Sequence, residues 1–132
     1  MIGVDTNILI RYLTQDHPSQ SKLVNLLFEN SEKHKTPLYI NLVTLCEVIW
    51  VLESCYEQSK EIIMTTIETM LKTPSLKFEH EGIIGIALLE FITSSADFTD
   101  CLIAKYNLKY GCNCTYTFDK NASKIEGFRV LK

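Results

Sequence analysis

The sequence predicts an α/β fold, a parallel sheet of about four to five short strands flanked by helices. Short apolar segments of β-rich composition alternate along the chain with longer stretches of helical periodicity, and most connections are short. Acidic residues recur where these strands end or where helices begin, at Asp5, Asp97, Asp100 and Asp119. In open α/β sheets ligands bind at the carboxyl ends of strands, so such acids are either helix caps or parts of a site.

At 132 residues the chain reads as one domain, 1–132, large enough to bury a core without disulfide staples. Its 46% hydrophobic and 22% charged content is ordinary for a globular protein. No apolar run reaches the roughly 18 residues of a membrane span. A signal peptide is excluded because no basic segment opens the chain and Asp5 and Arg11 interrupt its first apolar run. The expected location is therefore cytoplasmic, with no membrane partner. Five cysteines at irregular spacing make no disulfide framework, and Cys112-x-Cys114 lacks the second pair or nearby His of a zinc site.

Taken in order, Ile2 and Val4 form a short buried strand ending at Asp5, and Thr6-Asn7 open a helix carrying Ile8, Leu9, Ile10 and Leu13. Asp16-His17-Pro18 starts the next helix, since Pro is favoured in a first turn, and Leu23, Val24, Leu26 and Leu27 are its expected apolar face. Thr36-Pro37 stops it before the strand Leu38–Ile40, and Asn41 caps the helix after that strand. Leu42–Tyr56 is apolar at nearly every position and is expected to be a helix buried on most sides. Glu47 is its one charge between Leu42 and Leu52, grouped by helical spacing with Val43, Trp50, Val51 and Ser54. A buried carboxylate there requires a pair or a metal.

Gln58–Lys72 is the next helix, striped by Ile62, Ile63, Ile67, Met70 and Leu71 and stopped by Thr73-Pro74. Leu76-Lys77-Phe78 alternates as a strand, and Gly82–Thr93 returns to helix. Asp97 and Asp100 then stand in or just before the first turn of a helix that Gly111 ends. The β-rich segment Cys114–Phe118 leads into Asp119 and the turn Lys120-Asn121. A helical turn near Ala122–Lys124 and a last strand, Phe128–Leu131, complete the chain.

Each acid has a local explanation. Asp5 suits a helix cap, Asp97 and Asp100 complement a helix dipole, Asp119 suits an Asx turn, and Glu47 suits an ion pair. Taken together they suggest more. Crowded carboxylates repel at neutral pH unless a cation neutralises them, and oxygen ligands without His or Cys suit Mg²⁺ or Mn²⁺. Such a cluster supports phosphodiester cleavage by metal-activated water. Met1–Asp100 carries 7 basic and 14 acidic residues, whereas Cys101–Lys132 carries 6 basic and 2 acidic. This C-terminal quarter is thus suited to a polyanion despite the overall charge of -3.

Four segments carry a family resemblance: Val4-Asp5-Thr6-Asn7-Ile8-Leu9, Glu47-Val48-Ile49-Trp50-Val51-Leu52, Ala96–Ala104, and Tyr116-Thr117-Phe118-Asp119-Lys120. In this order and spacing the chain resembles PIN-domain proteins, and more narrowly VapC-type toxin ribonucleases of type II toxin-antitoxin systems. The resemblance implies a three-layer α/β/α, Rossmann-like fold. It implies catalytic, metal-holding roles for Asp5, Glu47, Asp100 and Asp119, with Asp97 as a fifth metal-site acid. Thr6, Asn7 and Thr117 would orient the acids. Also implied are Mg²⁺ or Mn²⁺, an RNA substrate of the tRNA or rRNA class, a homodimer and a small antitoxin. Cys101 departs from the small Ala often found at its position. The reading from another class is a non-catalytic PIN-like module binding RNA or protein, which would be expected to have lost some of these acids. Asn7 argues against haloacid-dehalogenase-like phosphatases, which need a second Asp there as general acid. Response-regulator receivers place their acceptor Asp after a third strand, where this chain has none.

Overall fold

A computed structural model describes all residues, Met1–Lys132, as two compact units, Met1–Glu79 and His80–Lys132. The first unit holds β1 (Ile2–Gly3), α1 (Thr6–Thr14), α2 (Pro18–His34), β2 (Leu38–Ile40), α3 (Leu42–Ser54), α4 (Lys60–Leu71) and β3 (Leu76–Phe78). Its sheet is parallel in the order β1-β2-β3, with Ile2 opposite Leu38 and Leu38 opposite Leu76. Strands this short make few ladder bonds. Flanking residues add to them: Val4 N–H donates to the Tyr39 carbonyl at 3.1 Å and Glu79 N–H to that of Ile40 at 3.0 Å. Leu38 and Ile40 are fully buried, as are Leu9 on α1, Leu45, Val48 and Leu52 on α3, and Ile63 and Ile67 on α4. The first strand is less buried than its composition suggests: it lies at the sheet edge, where Val4 is covered but Ile2 is exposed.

Two helices present other faces than their composition suggests. On α2 the buried positions are Ser21, Val24, Phe28 and Ser31, while Leu23 and Leu26 face solvent. The two serines are buried without loss because their hydroxyls donate to the carbonyls of Arg11 (3.3 Å) and Thr36 (2.6 Å). On α3, Thr44, Leu45, Val48, Ile49 and Leu52 are buried, but Val43 and Trp50 are exposed, and Glu47 with them. The expectation of a helix buried on most sides is therefore corrected. Glu47 shares a face with Val43 and Trp50 as its spacing requires, but water solvates that face and no burial penalty acts on the carboxylate.

The second unit holds α5 (Glu81–Thr93), α6 (Phe98–Lys109), β4 (Thr115–Thr117), a 3-10 turn (Ala122–Lys124) and β5 (Phe128–Val130). α5 packs on α6, where Phe91 meets Phe98 edge-on at 6.0 Å and Lys105 Nζ pairs with Glu90 Oε1 at 3.0 Å. β4 and β5 pair parallel, Thr115 opposite Phe128 and Tyr116 opposite Arg129. All five expected strands are present and every pairing is parallel, but they bond as three and two rather than in one ladder. Gly127, at φ +103, precedes β5 close to α6, and a Cβ there would lie 3.0 Å from Leu108 Cδ1. No helix is long and apolar enough to cross a membrane.

Candidate active site

Asp5 comes after β1 and caps α1. Its Oδ1 accepts the Ile8 N–H at 3.2 Å, satisfying one of the donors that a helix start leaves unpaired. Asp97 caps α6 in the same manner, accepting the Asp100 N–H at 2.8 Å. Asp119 makes the Asx turn its sequence suggests, its Oδ1 accepting from Asn121 N–H at 2.8 Å and Ala122 N–H at 3.3 Å. The local explanations are thus all realised. They do not compete with a site, because in each case the capping bonds engage Oδ1, and a carboxylate has a second oxygen to offer a ligand. A cap of this kind also fixes the carboxylate's direction.

In the second unit the structure brings three acids into electrostatic contact. Asp100, half-buried in the first turn of α6, has its pKa raised, first by burial and then by the charges of Asp97 and Asp119. Negative charge is thus accumulated where α6 begins and β4 ends. No three His, Cys, Asp or Glu side chains converge tightly enough to form a complete protein cage for a metal. Mg²⁺ does not need one: it keeps several waters and binds through one or two carboxylates plus substrate phosphates. Oxygen-only donors with an unfavourable excess of negative charge at Asp100 fit such a hard cation.

In the first unit, Asp5 leads into α1 and Glu47 lies midway along α3, and these two helices pack together. Both carboxylates are exposed. Thr6 and Asn7 are the first two residues of α1, but the bond that fixes Asp5 comes from the Ile8 backbone. Thr117 does act on its acid, through the loop: its Oγ1 accepts the Asp119 N–H at 3.0 Å. Cys101 is fully buried on α6, with its Sγ 4.0 Å from the Ser94 hydroxyl.

Sequence reasoning passes over Glu79. It stands directly after β3, and its Oε1 accepts the Leu42 N–H at 2.9 Å, anchoring the first turn of the helix that carries Glu47. Asn41 completes that cap through Thr44 N–H at 2.8 Å. The strand-end position that singles out Asp5 applies equally to Glu79 and is a sufficient signal.

Residues 2–127 match the sequence model of the PIN domain. A VapC ribonuclease of Aquifex aeolicus (strain VF5) is 23% identical over 128 residues, covering 97% of this chain and 93% of that protein.

Proposed function

Because the chain belongs to the PIN-domain family, we propose that it is a nuclease of the toxin-antitoxin kind, a metal-dependent endoribonuclease that hydrolyses RNA phosphodiester bonds. The carrying observation is that Asp119, from beyond β4, adds its charge to the cap and first-turn acids Asp97 and Asp100 of α6, more negative charge than one helix start calls for. Similarity to a VapC ribonuclease along nearly the whole chain supports the RNA substrate and the antitoxin partner.

The proposed ligand set is Asp5, Glu47, Asp100 and Asp119, with Asp97 as a fifth acid. Bound Mg²⁺ or Mn²⁺ would supply Lewis-acid polarisation of the phosphoryl group and acidify a water for in-line attack. The residues do the positioning. Ile8 N–H holds Asp5, and Thr117 with the backbone of Asn121 and Ala122 holds Asp119. Asp97 fixes the start of α6, from which Asp100 projects. The products by analogy are a 5′-phosphate and a 3′-hydroxyl. A homodimer and a small antitoxin belong to the same reading, supported by Val43 and Trp50, apolar and exposed beside Glu47.

The test is cleavage of total RNA with Mg²⁺ or Mn²⁺ by wild type, Asp5→Asn, Glu47→Gln and Asp100→Asn. Each substitution is expected to lower the rate by at least about 100-fold, an effect of roughly 2.7 kcal/mol on the barrier, and EDTA to abolish cleavage. Cleavage that survives chelation, or all three substitutions, overturns the mechanism.

A further inference from the structure

The segment immediately before Asp119 carries a surface that the cleavage chemistry does not use. Phe118 is 80% exposed and Tyr116 is 62% exposed. Tyr116 is the middle residue of β4 and Phe118 follows directly after the strand ends, between Thr117 and Asp119. Arg129 lies opposite Tyr116 in the parallel register of β5 and is also exposed. Strand spacing sets the two side by side at about 4.8 Å. The other side of the pair is the packed one, through Phe128. Lys120, next after Asp119, is exposed. Two bare aromatic rings, an adjacent guanidinium and an ammonium therefore lead to one of the proposed ligands.

A single exposed apolar side chain is ordinary, so the informative feature is the pair of rings set among cations. Rings alone would fit an apolar protein segment. Rings interleaved with cations, in a stretch carrying 6 basic and 2 acidic residues, fit a polyanion that also offers flat apolar faces. Single-stranded RNA has that chemistry: its unstacked bases lie on aromatic rings and its phosphates meet Arg and Lys. Duplex RNA does not, because its bases are stacked on one another.

We infer that Tyr116 and Phe118 form a stacking platform for unpaired RNA bases, with Arg129 and Lys120 holding the flanking phosphates, so that an unpaired segment is delivered to Asp119. The inference rests on the nuclease reading for the chemistry after binding, but the platform is tested by binding alone.

The experiment measures anisotropy of a labelled single-stranded RNA oligonucleotide and of a fully paired hairpin stem, with EDTA present so that no cleavage occurs. Proteins are wild type, Phe118→Ala, Tyr116→Ala, Phe118→Trp and Asp119→Asn, each checked for unchanged melting and elution volume. Each alanine substitution is expected to weaken single-strand binding about 5- to 100-fold, with Phe118→Trp retaining it. The paired stem should respond less than about twofold. Single-strand affinities within twofold of wild type overturn the platform. So does an alanine variant that changes the elution volume, which would assign the face to contact between copies of the chain. Asp119→Asn, expected to bind single-stranded RNA as wild type does, and a separate cleavage assay of wild type and the alanine variants with Mg²⁺ keep the two readings apart. RNA binding that depends on the rings, in a wild type that cleaves nothing, preserves the platform and sinks the nuclease; cleavage without ring dependence does the reverse.

Discussion

At Asp100 two unfavourable effects act on one carboxylate. Burial disfavours its charge, and Asp97 and Asp119 add like charge from the helix cap and from the end of β4. Its folded-state pKa is therefore raised, which fixes the sign of its effect on stability. A carboxyl that holds its proton more tightly when folded favours the fold at low pH. That contribution is lost as pH rises from the unfolded value of about 3.8 through the higher folded one. At neutral pH the metal-free protein consequently bears a strained charge. Asp100→Asn should melt higher than wild type at pH 7 without metal, with the difference vanishing as pH approaches the unfolded value, while its nuclease activity is lost. Equal melting temperatures at pH 7 would show that the crowding is relieved in solution. Asp16 behaves oppositely: hydrogen bonds from the Tyr56 and Thr14 hydroxyls lower its pKa, as a carboxylate serving structure alone should show.

Within the elements, legibility in the sequence depends on the range of the force that sets each feature. Strands, helices and caps are local, so Asp5, Asn41, Asp97 and Asp119 act where turn and cap chemistry puts them. Facing is not local. Leu23 and Leu26 outnumber Val24 on α2, yet the helix turns Ser21 and Ser31 inward because carbonyls at Arg11 and Thr36 await their hydroxyls. Glu47 is legible on α3 as the odd charge, but for the wrong reason, since periodicity cannot tell a buried apolar face from an exposed one. Close approach is equally invisible: nothing in the sequence distinguishes Gly127 from a turn glycine of no consequence. At φ +103, with Leu108 Cδ1 only 3.0 Å from where a Cβ would sit, alanine is both strained and crowded. Gly127→Ala should lower unfolding stability by about 1–3 kcal/mol. A urea midpoint shifted by less than the equivalent of about 0.5 kcal/mol would mean that Leu108 and the turn relax together.

Over the whole molecule the charge is divided along the sequence, and that division makes RNA binding sensitive to salt in a bounded way. The first 100 residues carry 14 acids against 7 bases, so phosphate contacts should come mainly from the last 32. Of the six cations there, Lys105 is held by Glu90 at 3.0 Å. Lys109, Lys120, Lys124, Arg129 and Lys132 are exposed. Each phosphate neutralised on a single strand contributes about −0.7 to the slope of log K against log salt, so five cations set a limit near −3.5. Affinity for single-stranded RNA should then fall by no more than about 130-fold between 50 and 200 mM salt. Removing Arg129 and Lys120 as Arg129→Gln and Lys120→Gln should make the slope shallower by about 1.4. Phe118→Ala should weaken binding at every salt concentration and leave the slope unchanged, because stacking releases no counterions. Anisotropy titrations across that salt range separate the two contributions. A slope well beyond −3.5 would require cations from the first 100 residues, and an unchanged slope in the double variant would remove Arg129 and Lys120 from the path of the RNA backbone.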